Sequence, residues 1–245
     1  MVKEKFYKCV EELQRQIRET QDEKIKEAAQ CIFDSVMNDG CVHLFDTGHI
    51  IDSELINRAG GFELMRRFRY NMNVESSARS RLERTKKEKN TSLEGLAELA
   101  LRQGEVLPND VMIIGSVSGR SVNVIDLALA CKKMGVKVIA MTSVAYSSKV
   151  ESKHSSKKRL FEIADIVLDN CAPYGDGMME IKGLDATFIP ASGLSAAYIM
   201  WAINADLAEL FIENNITPSI LKSVNYDPNI EYNQELAQKY QEKGY

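Results

Sequence analysis

Gly115-Ser116-Val117-Ser118-Gly119-Arg120-Ser121 gathers three hydroxyls and a flexible glycine in seven residues. An apolar run, Val111-Met112-Ile113-Ile114, leads straight into it, and residues 122–134 follow with helical spacing. The N–H groups that open such a helix lack intrahelical acceptors, and the helix dipole favours an anion there. Gly119 admits close approach of the backbone. Ser116, Ser118 and Ser121 add hydroxyl donors, so the turn suits a phosphomonoester. The same serines also fit a plainer role as helix caps, and composition alone divides the two readings evenly. The Gly-Lys-Ser/Thr ending of a nucleotide P-loop is absent, as is Gly-x-Gly-x-x-Gly.

Further polar residues stand at other expected strand ends. Asp46-Thr47-Gly48-His49 follows Cys41-Val42-His43-Leu44-Phe45, and Thr142-Ser143 follows an apolar strand. His49 suits a hydrogen bond to a ligand hydroxyl or to a helix start. His154 lies among serines and lysines, either reaching across a subunit interface or standing on the surface. Lys153, Lys157, Lys158 and Arg159 fit a solvated face.

The elements around these residues alternate. Phe6, Val10, Leu13, Ile17, Ile25, Ala29, Ile32 and Val36 recur at helical spacing through residues 1–40. Strands are expected at 41–45, 110–115, 136–141 and 166–169, and a weaker one at 62–70. Helices are expected at 50–59, 92–103 with Ser92 as N-cap, 122–134, 160–164 and 194–214 with Ser192 as cap. A last helix is expected near 232–241, and Gly183 suits a hairpin between 178–182 and 187–189. Residues 66–89 are rich in Lys and Arg and read as a loop. The pattern predicts a single α/β domain over 1–245, with a long N-terminal helix (1–40), an α/β core (41–214) and a C-terminal extension (215–245). Its fold class is a doubly wound parallel sheet flanked by helices. Ligands of such sheets bind outside the carboxyl ends of the strands.

Composition narrows the function. Hydrophobic residues make up 44% and charged residues 27%, a globular balance. A net charge of −4 argues against a general nucleic-acid or membrane-surface binder. No apolar run nears the roughly 20 residues of a membrane span, and the first residues lack a signal-peptide pattern. Five cysteines stand far apart, as in a reduced cytoplasmic protein. Three histidines without paired ligand spacing predict no metal, and no cofactor is expected.

The serine turn after a buried strand resembles the sugar isomerase, or SIS, domain. The resemblance spans about residues 41–214 and is nearest to a bacterial phosphoheptose-isomerase-like branch. Thr47-Gly48-His49, Arg58-Ala59-Gly60-Gly61, Lys153-His154-Ser155-Ser156 and Ala164-Asp165-Ile166-Val167-Leu168-Asp169-Asn170 extend it. It implies a five-stranded parallel sheet, a sugar-phosphate ligand, and a homodimer or homotetramer whose site a neighbouring subunit completes. It places the phosphate on Ser116, Ser118 and Ser121, and Thr142 and Ser143 match a further ligand-facing turn; Gly119, Thr47, Gly48, His49 and Ser192 join them as ligand-binding candidates. Phosphoheptose isomerases use a Glu after the second strand and a His on the last long helix. Glu75 matches the first position, where its plain reading is a solvated acid among arginines. The second falls on Tyr198, leaving His154 as the candidate acid or base. Two departures stand out. Asp46 and Ile50 replace the usual Gly and Ser after the first strand, and Val117 replaces an Asn.

Two functions compete. One is an aldose–ketose isomerase of a phosphorylated sugar, with Glu75 and His154 as catalytic groups. The other is a non-catalytic phosphosugar sensor, which the missing last-helix His favours. The single long N-terminal pattern is unlike a helix-turn-helix, so DNA binding is not expected. The basic 66–89 segment is the one feature that points towards nucleic acid.

Overall fold

The computed structural model describes residues 1–48, 51–75, 77 and 93–245. Helix α1 runs unbroken over Val2–Met37. Its buried positions, among them Leu13, Ile17, Ile25, Ala28, Ala29, Ile32 and Val36, keep the three-to-four spacing of one apolar stripe. Its first turns, up to Glu12, carry no buried residue, so core contact begins at Leu13. The chain then turns at Gly40. A Cβ there would fall 2.3 Å from Ser35 Oγ and 2.6 Å from the Asn109 carbonyl oxygen, so only glycine fits this crossing.

Five parallel strands form the sheet: β1 (Val42–Asp46), β2 (Met65–Arg67), β3 (Val111–Gly115), β4 (Lys137–Thr142) and β5 (Ile166–Asp169), in the order β2-β1-β3-β4-β5. The expected parallel, doubly wound sheet is present. Alternation along the strands sorts its side chains. Val42, Leu44, Val111, Ile113, Ile139, Met141, Ile166 and Leu168 face one layer, with α1 and the helix α6 (Ser192–Glu213). Phe45, Met112, Ile114, Val138 and Ala140 face the other, with α3 (Leu96–Gln103) and α4 (Val122–Met134). Both faces of β3 are covered, which is why its sequence is continuously apolar.

Several boundaries differ from the periodicity. The helix expected over 50–59 is one turn, α2 (Asp52–Leu55). The edge strand expected over 62–70 shortens to three residues, and the chain before it pairs elsewhere. Glu63 N–H donates to the Ser219 carbonyl, and Gly60 and Gly61 exchange bonds with Leu221. These bonds stitch the C-terminal extension to the core. Ser92, the expected cap of the next helix, lies outside the described residues. Helix α3 begins at Leu96, and its first N–H groups are satisfied from α4: Asp126 accepts from Gly95 N–H at 2.9 Å and Ala97 N–H at 3.0 Å. Ser192 is the first residue of α6 rather than its cap. Asp176 takes the capping part, accepting from the Ser192 N–H at 2.9 Å and hydroxyl at 2.8 Å.

A turn of helix, α5 (Val144–Ser147), and a 3₁₀ turn (Leu160–Glu162) connect β4 to β5. The expected hairpin forms from β6 (Gly177–Met179) and β7 (Phe188–Pro190). The last helix, α7 (Pro228–Lys243), is longer than its periodicity implied and buries Tyr240. No described helix is long and apolar enough to cross a membrane.

A buried histidine–carboxylate hydrogen bond joins β1 to the residue before β3. Asp110, 3% exposed, accepts from His43 Nε2 at 2.9 Å and from the N–H groups of Cys41 and Leu107. Burial pushes its carboxyl up, but these three donors outweigh it and hold the group below its ordinary value. A carboxyl depressed in the folded state stabilises fully above its unfolded pKa of about 3.9. That stabilisation is lost as pH falls through the folded value. Asp110→Ala is therefore expected to cost about 1–3 kcal/mol at neutral pH. It should also flatten the loss of stability below about pH 4, as read from urea unfolding at a series of pH values.

Candidate functional site

The strand order places a topological switch point between β1 and β3, where successive crossovers leave in opposite directions. Two loops flank that crevice: the one after β1 and the serine turn after β3. They are in register, with Asp46 opposite Gly115.

The serine turn is held through its carbonyls. Val117 O accepts from the Thr142 hydroxyl and the Ser143 N–H, both at 3.0 Å. Ser118 O accepts from the Ser147 hydroxyl at 2.7 Å. Gly119 O accepts from Leu160 N–H and Arg120 O from Lys153 N–H, each at 2.9 Å. A trans peptide points its C=O and the following N–H in opposite directions. With four successive carbonyls drawn into the scaffold, the N–H groups of residues 118–121 are turned away from it. None of them has an acceptor among the described residues, and neither do the hydroxyls of Ser116, Ser118 and Ser121. Outward N–H groups at the start of a 13-residue helix are the kind of donor set to which an anion is attracted.

Gly119 is essential to this shape. Its φ is +54°, and a Cβ would lie 3.0 Å from Leu160 Cβ, 3.1 Å from Ser147 Oγ and 3.2 Å from Thr142 Oγ1. Beside it, Arg120 has a buried Nε without an acceptor.

The other sequence candidates divide. Thr142 and Ser143 lie at the turn, but their hydroxyls are used within the protein: Thr142 on Val117 O, Ser143 on Ala172 O at 2.6 Å and on the Tyr146 N–H. They brace the turn from behind. The Ser192 hydroxyl is likewise taken by Asp176. Thr47 and Gly48 are exposed in the loop after β1, while His49 lies outside the described residues. Asp46 is turned into its own loop, accepting from Gly48 N–H at 2.8 Å and Ile51 N–H at 2.5 Å.

Glu75 is exposed and makes no hydrogen bond or ion pair with the turn. The chain leading to it crosses the first turn of α4, where the Tyr70 hydroxyl donates to Asn123 O at 3.3 Å and its ring stacks on Phe45. His154 is 6% exposed. Its Nδ1 accepts from Ser156 N–H at 3.0 Å, which leaves the ring proton of the neutral form on Nε2, 3.9 Å from carboxylate oxygens of both Glu94 and Asp126. Glu94 also accepts from the N–H and hydroxyl of Ser155. His154 thus anchors the 153–160 strap that holds the turn, and the structure does not bring it together with Glu75. Sequence reading missed Tyr70, Glu94 and Asp126, whose roles depend on long-range contacts.

Thiol chemistry has little support: burial pushes Cys131 up to about 12 and raises Cys31, Cys41 and Cys171 as well. No cluster of three or more metal-ligating side chains occurs among the described residues.

Gly119→Ala is expected to destabilise the fold by about 1–2 kcal/mol from the left-handed backbone alone, with more from the close contacts. Chemical denaturation measures it, and an unchanged midpoint would contradict the tight turn.

Residues 5–143 match the family model described as SIS domain. A UPF0309 protein of Oceanobacillus iheyensis is 36% identical over 248 residues, spanning 99% of this chain and 97% of that one. A UPF0309 protein of Listeria monocytogenes serotype 4b is 34% identical over 232 residues, spanning 93% and 91%. Among solved structures, a phosphoheptose isomerase from Francisella tularensis superimposes with a TM-score of 0.51 at 13% identity, covering 84% of this chain and 96% of that one. That last likeness is one of fold.

Proposed function

The chain belongs to the SIS-domain family, within its UPF0309 group, and on that premise we propose that it binds a sugar phosphate, with the phosphate on the β3 turn. One observation carries the reading: four tied carbonyls turn the N–H groups of residues 118–121 away from the scaffold, and neither these nor the hydroxyls of Ser116, Ser118 and Ser121 have a partner among the described residues. A phosphomonoester offers acceptors to such a set, and the dipole of α4 adds to its attraction. The ligand meets donors already in place, so little ordering cost is left for the binding step.

For chemistry beyond binding, we propose aldose–ketose isomerisation with Glu75 as the base. Moving a proton between adjacent carbons requires a base at the sugar and an acid near its oxygen. Glu75 is exposed and open to a ligand or a neighbouring subunit. A homodimer or homotetramer would complete the site across its interface. A second reading, a phosphosugar sensor without catalysis, is favoured by His154, whose ring is buried among Ser156, Glu94 and Asp126 instead of facing the crevice. Cytoplasmic residence goes with either reading, and the five unpaired thiols support it.

A thermal-shift panel of pentose, hexose and heptose phosphates tests the binding. A ligand at a hundredfold excess over Kd stabilises the fold by about 2.7 kcal/mol. Ser118→Ala, folded as before, is expected to abolish most of that shift; a full shift in the variant would move the phosphate elsewhere. Glu75→Gln separates the two chemical readings. Turnover in the wild type that falls at least about a hundredfold in the variant, the usual scale of a general base, supports isomerase. Binding without turnover in the wild type supports the sensor.

A further inference from the structure

Asp46 ends β1 opposite Gly115, the residue that opens the serine turn. Its carboxyl carbon lies 3.4 Å from where a Cβ on Gly115 would stand, so its charge sits directly against the turn's backbone. The group is half-buried, and no cationic side chain among the described residues pairs with it. Oδ1 and Oδ2 each accept one N–H, from Gly48 and Ile51.

Two consequences follow from this placement. The Gly48 and Ile51 N–H groups are already used by a fixed carboxylate, whose charge opposes a second anion at this loop. A bisphosphate spread over both turns is disfavoured, and a monophosphate fits. The carboxylate is also not saturated. Each oxygen has two lone pairs, and one protein donor on each leaves room for two more. A phosphate on the turn and a bare carboxylate beside it repel each other. The repulsion is offset when the same ligand brings a positive donor to Asp46.

We propose that Asp46 selects an amino-sugar phosphate, with the phosphate on the β3 turn and the protonated amine on the Asp46 carboxylate. The proposal rests on the sugar-phosphate reading above and names the ligand class of that same site. An ammonium on a carboxylate makes a charge-assisted hydrogen bond, about twice as strong as a neutral one. A hydroxyl at the same carbon is also a donor, but it carries no charge to offset the repulsion.

Calorimetric titration with glucosamine 6-phosphate and glucose 6-phosphate, which differ in that one group, tests the assignment. The wild type is expected to bind the amine at least about tenfold more tightly, a difference within the range of charge-assisted bonds. In Asp46→Asn the preference should fall to near parity while glucose 6-phosphate binding persists or improves. Asp46→Gly, which removes the carboxylate altogether, gives the same readout if the amide disturbs the loop. Thermal melts establish that the variants are folded. Equal affinity in the wild type, or a preference that survives both substitutions, overturns the role of Asp46. If both ligands bind equally and Ser118→Ala abolishes both, the phosphate reading stands and only this inference fails. If neither sugar phosphate binds the wild type, this inference fails, and the phosphate reading fails with it only if the pentose and heptose phosphates of the panel also leave the melt unshifted.

Discussion

The carbonyl oxygens of Val117, Ser118, Gly119 and Arg120 are each held by a donor from outside the turn, and the candidate site depends on those bonds. Peptide planarity converts their inward direction into an outward direction for the N–H groups that follow. The donors come from β4, from α5 and from the strap at 153–160. The strap is held in turn by His154 and Ser155 against Glu94 and Asp126, and Asp126 caps α3. Order thus passes from a helix cap on one face of the sheet to the serine turn at the strand ends.

The sheet supplies the rest of the geometry. The order β2-β1-β3-β4-β5 opens one crevice, between β1 and β3, and both flanking loops carry polar residues. They are unlike in charge. The β3 turn presents unpartnered donors, whereas in the β1 loop the Gly48 and Ile51 N–H groups fold onto the loop's own carboxylate, Asp46. A ligand that fits the pair is therefore polarised, anionic at one end and donating at the other.

The central strands and helices were legible because local signals agreed. Val111–Gly115 is continuously apolar between two packed faces, and Gly135, in the left-handed region, stops α4 where periodicity placed the stop. The edges were less legible. Residues 50–59 have helical spacing, but the described part, 51–59, keeps only one turn of helix, and Gly60 and Gly61 pair with Leu221 in the C-terminal extension. Ser192 has the residue type of a cap, but Asp176, sixteen residues earlier, occupies that position in space. At the site, the serine turn and its glycine could be named from sequence, and so could the unusual charge of Asp46. The orientation of that carboxylate could not, nor could the conversion of Thr142 and Ser143 from ligand contacts to braces. Each depends on backbone partners distant along the chain.

Amide chemical shifts give the most direct test of the central claim. In a ¹⁵N–¹H titration with a sugar phosphate that stabilises the protein, the amides of residues 118–121 should show the largest perturbations, moving downfield together along one binding curve. Saturable binding that leaves those amides unmoved, with the largest shifts elsewhere on the molecule, would contradict the account.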